Sequence, residues 1–322
     1  MTPAPATPSR PSRASDDPPR HYSIDGQAVE IPRLKSGLYV VATPIGNLGD
    51  MTLRALATLA GADLIACEDT RVTRTLLDRY GIGTPLTAYH EHNAAKVRPA
   101  LLRRLADGAS VALVSDAGTP LISDPGYKLV RDAQEAGHTV TTLPGPSALL
   151  AALTVAGLPT DQFLFAGFLP PKQAARRARI AELKSIQATI VLFETGPRLA
   201  ACLVDLADGL GPREAAVCRE LTKLHEEIRR GDLGLLAQGA EEGESRGEIV
   251  LVIGPPPVTE KLSTADADVL LREALARSSL KDAVAEIAEV TGLPRRQLYQ
   301  RALELTKLRK SSGRGSSDAA PR

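Results

Sequence analysis

The chain has 322 residues, with 43% hydrophobic and 24% charged residues and a formal net charge of +1. So even a balance excludes a global basic field of the kind that holds nucleic acid unspecifically, and any basic surface must be local. Cys67, Cys202 and Cys218 stand far apart without CxxC spacing, which argues against a disulfide framework or a zinc site and fits a reducing, cytoplasmic compartment; no apolar run reaches the length of a membrane span.

Length predicts two or three domains. Residues 1–35 are expected to be a disordered tail: the first twenty residues carry six prolines and no apolar signal-peptide core. Leu38–Ala42 reads as a buried strand that ends in a Pro/Gly loop, Thr43-Pro44-Ile45-Gly46-Asn47-Leu48-Gly49-Asp50, and Thr52–Ala60 has helical spacing. The next strand, Asp63–Cys67, ends in Glu68-Asp69-Thr70-Arg71; a helix over Val72–Tyr80 stops at Gly81. A short strand, Leu86–Tyr89, leads to His90-Glu91-His92-Asn93 and a helix over Ala94–Ala106.

The longest irregular stretch follows. Val111–Val114 is a buried strand, and the loop after it holds two Ser-Asp pairs, Ser115-Asp116 and Ser123-Asp124, among Gly118, Pro120, Pro125 and Gly126. Glycine permits positive φ and close approach while proline fixes φ, so the loop has a defined shape with free backbone N–H groups. A helix over Tyr127–Ala136, a strand over Thr139–Leu143, the turn Pro144-Gly145-Pro146-Ser147 and a helix over Ala148–Ala156 complete an N-terminal α/β domain over residues 36–157. Strands alternating with helices predict a mostly parallel sheet, with its ligand cleft beyond the strands' carboxyl ends.

Residues 158–256 form a second α/β domain, predicted to hold a mixed sheet. Its strand Phe163–Gly167 runs into Gly167-Phe168-Leu169-Pro170-Pro171-Lys172 and a basic helix with Arg176, Arg177, Arg179 and Lys184. Thr189–Phe193 ends in Glu194-Thr195, Glu214–Arg219 ends in Glu220-Leu221-Thr222-Lys223, and Glu226–Arg230 is expected to pair with Glu248–Ile253. Beyond the stiff Gly254-Pro255-Pro256-Pro257 linker, residues 262–306 have the periodicity of three helices, either a helix-turn-helix or a packing bundle, and residues 307–322 form a basic tail expected to be disordered.

Several chemistries are absent. There is no GxxxxGK[ST] phosphate cradle, no GxGxxG between the first strand and helix, and no GxSxG elbow. His90 and His92 lack the companions of a metal site, so no metal is expected. What remains is a Gly/Pro-lined cleft with carboxylates, suited to a compact zwitterionic ligand held largely by backbone groups. S-adenosylmethionine (SAM) has that character, and methyl transfer from it needs positioning and a proton acceptor more than covalent help.

The motif set Thr43–Leu48, Glu68–Arg71, Ser115–Pro120 with Ser123–Gly126, Pro144–Ser147 and Gly167–Pro170 resembles, in order and over about residues 37–254, the ribosomal RNA small subunit methyltransferase I family. These are the 16S rRNA cytidine 2′-O-methyltransferases of the tetrapyrrole-methylase superfamily. The resemblance implies a two-domain, tetrapyrrole-methylase-like α/β fold (class III SAM methyltransferase) with a small C-terminal helical unit. It also implies SAM in the cleft, a homodimer, and a target ribose at cytidine 1402 in the decoding centre of the 30S subunit. By motif it places Pro44, Ile45, Asp116, Ala117, Gly118, Thr119, Pro146, Ser147, Ala148 and Leu169 at the cofactor. Tetrapyrrole enzymes carry Gly-x-Gly-x-Gly-Asp in the first loop. This chain has Thr-Pro-Ile-Gly-Asn-Leu-Gly-Asp, which with the local basic segments argues against the alternative of a small-molecule methylase, while the intact cleft motifs argue against the alternative of a non-catalytic small-subunit binding module.

The residues themselves leave the proton acceptor open among Asp69, His90, Glu194 and Glu220, each at a strand end. Arg71, Lys172, Arg176, Arg177 and Lys223 are the candidates for rRNA phosphate contacts, against the alternatives of a local Asp69–Arg71 ion pair and a solvated helix face.

Overall fold

In the computed structural model, residues 20–240, 246–257, 264–291 and 293–312 are described. Residues up to Pro256 form one compact unit and those from Pro257 a second. The first unit is built on two five-stranded sheets.

The chain enters through a hairpin of β1 (Arg20–Ile24) and β2 (Gln27–Ile31). This corrects the expectation of disorder up to residue 35. Its turn is Asp25-Gly26, both at positive φ (49° and 80°), the two-residue Asp-Gly connection that matches strand twist. Tyr22 is buried with the first-sheet core, Arg20 pairs with Asp63 at 2.6 Å, and Ser23 N donates to Tyr80 O at 2.7 Å.

The first sheet then assembles from β3 (Gly37–Val41), α1 (Leu53–Gly61), β4 (Leu64–Cys67), α2 (Thr70–Arg79), β5 (Leu86–Ala88), α3 (Ala94–Ala106), β6 (Ser110–Leu113), α4 (Tyr127–Glu135) and β7 (Val140–Leu143). Its order is β5-β4-β6-β3-β7 with every pairing parallel. The central strands β4 and β6 are buried at every position. A strand covered on both faces reads as a continuous apolar run, as Leu64–Cys67 and Val111–Leu113 do. Helix starts are set by side-chain caps: Thr52 accepts from Ala55 N at 3.2 Å and Asp69 from Arg71 N at 2.8 Å.

Helix α5 (Ala148–Ala156) follows β7, capped by Ser147. Sequence groups it with the first domain, but its Ala152, Leu153 and Ala156 are buried against Val191, Ala216, Val250 and Val252 of the second sheet. A nine-residue helix that is apolar on nearly every side has no polar face to turn outward.

The second sheet comes from β8 (Phe163–Phe168), α6 (Gln173–Leu183), β9 (Thr189–Thr195), α7 (Leu199–Leu210), β10 (Glu214–Arg219), β11 (Glu227–Asp232), α8 (Leu233–Gln238) and β12 (Glu248–Ile253). Its order is β11-β10-β12-β9-β8, with only β8–β9 parallel. The mixed sheet is as expected, but β11 pairs with β10 and not with β12, which is inserted between β10 and β9. Glu227–Asp232 is partly exposed, as an edge strand can be, whereas the apolar Ile249–Ile253 is buried and belongs in the middle.

In the C-terminal unit, α9 (Thr264–Arg277), α10 (Leu280–Thr291) and α11 (Arg295–Ser312) close on Leu271, Ala274, Ala283, Ile287, Leu298 and Ala302. Arg301 forks onto Asp268, with Nε–Oδ1 at 2.7 Å. The last helix runs to Ser312, past the expected end at residue 306. The rest of the expected basic tail, like residues 1–19 of the expected N-terminal tail, lies outside the described residues.

Candidate active-site cleft

The loops beyond β3, β4, β6 and β7 are knitted by their own backbone. Thr43 and Gly118 exchange N–H···O bonds at 2.9 and 3.0 Å, bridging the first loop to the Ser115–Gly126 loop. Thr43 Oγ1 donates to Ser115 O at 3.1 Å and Thr119 Oγ1 to Pro146 O at 3.2 Å. Asp69 N donates to Asp116 Oδ1 at 2.9 Å, tying the end of β4 to the end of β6. Gly118 sits at φ 78°, where a Cβ would stand 3.3 Å from Ile45 Cγ2, so both conformation and space call for glycine.

Two adjoining clefts open on these loops. One, of about 320 Å³, lies between the Ala117–Thr119 and Ile122–Asp124 segments, Ser147-Ala148, and the second sheet's Phe168, Phe193–Thr195 and Glu248–Val250. The other, of about 350 Å³, is bounded by Thr43–Gly46, Val72–Leu76 of α2, Asp116 and Lys223. Ile45, Ala117 and Glu248 belong to both walls. The volumes fall at the lower end of the range for small-molecule sites, roughly 300–1,000 Å³.

In the first cleft, Phe168 is 52% exposed and stacks edge-on with Phe193 at 5.6 Å, offering an aromatic wall to a ligand. Behind it Glu194 is 2% exposed. Its Oε1 takes the Thr195 N–H at 2.8 Å and lies 3.2 Å from Arg198 Nε, while Oε2 is buried with no partner among the described residues. Arg198 Nη2 donates to Leu169 O at 2.7 Å and so fixes the loop after β8.

Ile45, Ala117, Gly118, Thr119, Ser147 and Ala148 line the first cleft, and Pro44 and Asp116 the second. Pro146 contributes its carbonyl to Thr119. Leu169 is different: its side chain is packed in the second-domain core at 2% exposure, and its neighbour Phe168 faces the cleft.

Of the four candidate proton acceptors, Glu194 alone lines a cleft. Asp69 caps α2 and is paired with Arg71 at 2.6 Å, which holds its carboxyl down to about 2. Glu220, at a left-handed φ of 50°, accepts from Glu248 N and Lys223 Nζ, both at 2.9 Å, and these hold its carboxyl below the usual range. His90 has a buried Nδ1 without a partner among the described residues, and its backbone N–H goes to Asn93 Oδ1 at 2.9 Å.

Of the candidate phosphate contacts, Lys172 is exposed at the start of α6 and Arg71 is 89% exposed beside Asp69. Arg176 is not on the surface. It is 5% exposed, and its Nε reaches Asp205 Oδ2 of α7 at 2.7 Å. Arg177 Nε meets the other oxygen at 2.6 Å. Burial alone would raise the Asp205 carboxyl, but Arg177 and Arg176 outweigh it and hold the group below its ordinary value. The basic run is therefore in large part the clamp of α6 on α7, because one turn of the helix carries Arg176 inward. Lys223 spans the second cleft wall, 2.9 Å from both Glu220 and Glu248, and lies against Gly46, where a Cβ would come within 2.4 Å of Lys223 Cγ.

Sequence reading missed Phe168, Phe193, Asp124 and the Glu248–Val250 wall. Phe168 and Asp124 sit inside recognised motifs, so the signal was present. Glu248–Val250 reads as an ordinary buried strand. Among the described residues no group of His, Cys, Asp and Glu could hold a metal ion, and no helix is long and apolar enough to cross a membrane.

Residues 37–237 match the family model of Tetrapyrrole (Corrin/Porphyrin) Methylases, and residues 261–306 match that of the RsmI C-terminal HTH domain. A Mesorhizobium japonicum protein named Ribosomal RNA small subunit methyltransferase I is 52% identical over 290 residues, covering 89% of this chain and 97% of its own. The protein of that name from Escherichia coli O157:H7 is 45% identical, covering 83% and 94%. Among solved structures, diphthine synthase superposes with a TM-score of 0.53 at 16% identity, over 67% of this chain and 89% of its own. The methyltransferase CobJ superposes with a TM-score of 0.51 at 20% identity, over 68% and 94%. These two establish the fold.

Proposed function

The chain belongs to the ribosomal RNA small subunit methyltransferase I family of the tetrapyrrole methylases, SAM-dependent methyltransferases, and from that premise we propose that it methylates the 2′-oxygen of a cytidine ribose in 16S rRNA, cytidine 1402 of the decoding centre. The observation that carries this reading is sequence identity of 52% extending over 97% of a relative bearing that name, together with a cleft formed by the same loops that carry the family's motifs.

The cleft suits SAM on its own terms. Glu194 Oε2 is a buried acceptor with no hydrogen-bond partner among the described residues, and a buried acceptor is stabilised by a donor. The ligand's ammonium, ribose hydroxyls and adenine amino group are donors of that kind. Phe168, Phe193, Ile45 and Leu221 give the apolar faces that an adenine ring needs. In the proposed arrangement Ala117–Thr119 and Ser147-Ala148 hold the cofactor through backbone groups, and Glu194 takes one of its donors. When bound, SAM supplies an electrophilic methyl group on a sulfonium. The residues of this chain then have to exclude water, align the incoming hydroxyl and accept its proton. The nucleotide enters along the edge that the adjoining cleft beneath Lys223 shares with the first, at Ile45, Ala117 and Glu248, and presents its ribose to the first cleft. Lys172 and Arg71 meet phosphates at its approaches, in a homodimer acting on 30S particles in the cytoplasm.

The deciding experiment is mass-spectrometric mapping of 16S rRNA from cells with and without this protein. The expected result is one cytidine carrying a ribose methyl only when the protein is present. A methyl group on a base atom, or no difference between the two RNAs, would overturn the reading.

A further inference from the structure

The strand-end residues that the sequence singled out as proton acceptors are engaged elsewhere or lie outside the clefts. Asp69 and Glu220 are committed to Arg71 and Lys223, and His90 lines neither cleft. The first cleft has four titratable residues in its wall: Asp124, Glu194, Cys218 and Glu248. Glu248 is paired with Lys223 at 2.9 Å and Glu194 with Arg198 at 3.2 Å. Burial pushes the Cys218 thiol up to about 11, out of range of a proton acceptor at neutral pH. Asp116, in the adjoining wall, spends Oδ1 on the Asp69 N–H. Asp124 is the one carboxylate of the first cleft with no cationic partner among the described residues.

Its placement is enforced. Leu121 and Ser123, neither of them glycine, both adopt left-handed backbone, at φ 75° and 66°. Such residues persist only where the surroundings over-determine them, and they gather at functional sites. Here they turn the Ile122–Asp124 segment into the cleft wall. Gly126 at φ 135° closes the loop, where a Cβ would stand 2.9 Å from Leu113 Cδ2 of β6. The loop thereby packs directly on the central strand next to Asp124.

We propose that Asp124 is the general base of the methyl transfer, a role that rests on the ribose reading above. The 2′-oxygen forms its new bond to the methyl carbon as the carbon–sulfur bond breaks, the bond pair going to sulfur to leave a neutral thioether. The hydroxyl proton goes to the Asp124 carboxylate and from there to solvent. The electrostatics agree with that task. Burial raises the Asp124 carboxyl, and Glu68 and Asp116 raise it further, against a lowering hydrogen bond from Ser115, to about 6. Glu68, on the loop beyond β4, is itself raised by burial and by Asp116, with His90 lowering it. The titratable groups facing Asp124 are therefore carboxylates on its own loop and beyond β4, with Glu194 and Glu248 across the cleft. A base poised near the working pH is ionised at neutrality and still has affinity for a proton.

The test uses the full chain and 30S particles lacking the modification. Single-turnover methylation by the wild type is expected to fall on the acid side with an inflection near pH 6. Asp124→Asn should lower the rate about 10²–10⁴-fold and abolish that inflection, and Asp124→Glu should restore part of the activity with the inflection shifted. Calorimetry with S-adenosylhomocysteine, the demethylated product, should give the Asn variant the wild-type affinity, showing a folded protein with an intact cofactor cleft. An Asn variant within tenfold of wild type with the same acid limb overturns the assignment of Asp124 while the ribose reading stands. Loss of S-adenosylhomocysteine affinity in step with rate also overturns it, making Asp124 a cofactor contact. A wild-type product methylated on a base atom overturns the ribose reading itself, and the proton-acceptor role with it.

Discussion

Replacing Arg176 with Met separates the two readings of the basic segment after Lys172. Asp205 has a side chain of 0% exposure and receives Arg176 through Nε at 2.7 Å and Nη2 at 2.6 Å, Arg177 at 2.6 Å and Gln173 at 3.3 Å. Met keeps the aliphatic stem but strips Asp205 of its buried partner among the described residues. Breaking a buried pair typically costs about 3–5 kcal/mol. With Arg177 and Gln173 still in place, the lower end, about 3 kcal/mol, is expected. For a unit of this size each kcal/mol moves the thermal midpoint by roughly 2–4 °C, so the midpoint should fall by about 6–12 °C. The assay is thermal unfolding of the ligand-free protein followed by circular dichroism, with the salt dependence of 30S binding measured alongside.

The pH dependence of that loss follows from the sign of the Asp205 shift. Its folded carboxyl is held below the unfolded value, so its contribution to stability is complete above about pH 4. The contribution is lost as pH falls through the lower folded value, and the gap between wild type and variant should close there. The double variant Arg176→Met/Asp205→Leu should recover most of the loss at neutral pH, since an apolar pair of similar volume is often as stable as the buried ion pair. A midpoint within about 2 °C of wild type, together with a flattened salt slope, would refute this account and return Arg176 to the RNA surface.

Other substitutions probe the remaining contacts. Glu194→Gln should weaken S-adenosylhomocysteine binding about 10–100-fold in calorimetry, the worth of a hydrogen bond to a charged group; an unchanged affinity would remove Glu194 from the cofactor. Gly46→Ala would place a Cβ 2.4 Å from Lys223 Cγ, on a side chain already held by Glu220 and Glu248. It should destabilise the fold by about 1–3 kcal/mol in urea unfolding, and a wild-type midpoint would mean that Lys223 yields freely. Lys172→Ala and Arg71→Ala should each lower the log–log salt slope of 30S binding by roughly 0.7–0.9 with no change in thermal midpoint. A slope that does not move would take both residues off the RNA path.

The sequence by itself determined the parallel first sheet, since apolar runs such as Val111–Leu113, alternating with helices of ordinary length, have few other ways to be buried. It also determined which loops carry the site, because the Gly, Pro, Ser and Asp of Thr43–Asp50, Ser115–Gly126 and Pro144–Ser147 specify local backbone shape. The β1–β2 hairpin was legible in Asp25-Gly26 but overshadowed by the proline-rich residues before it. Partnerships were not legible. Whether β11 lies beside β10 or β12, whether α5 serves the first sheet or the second, and whether Arg176 faces solvent or Asp205 depend on which segments the fold brings alongside. The carboxylates divide in the same way. Arg71 and Lys223 stand two and three residues from Asp69 and Glu220, so those pairs were within reach of a local reading, whereas only the tertiary structure puts Asp124 in a cleft wall where burial raises its carboxyl and where it has no cationic partner among the described residues.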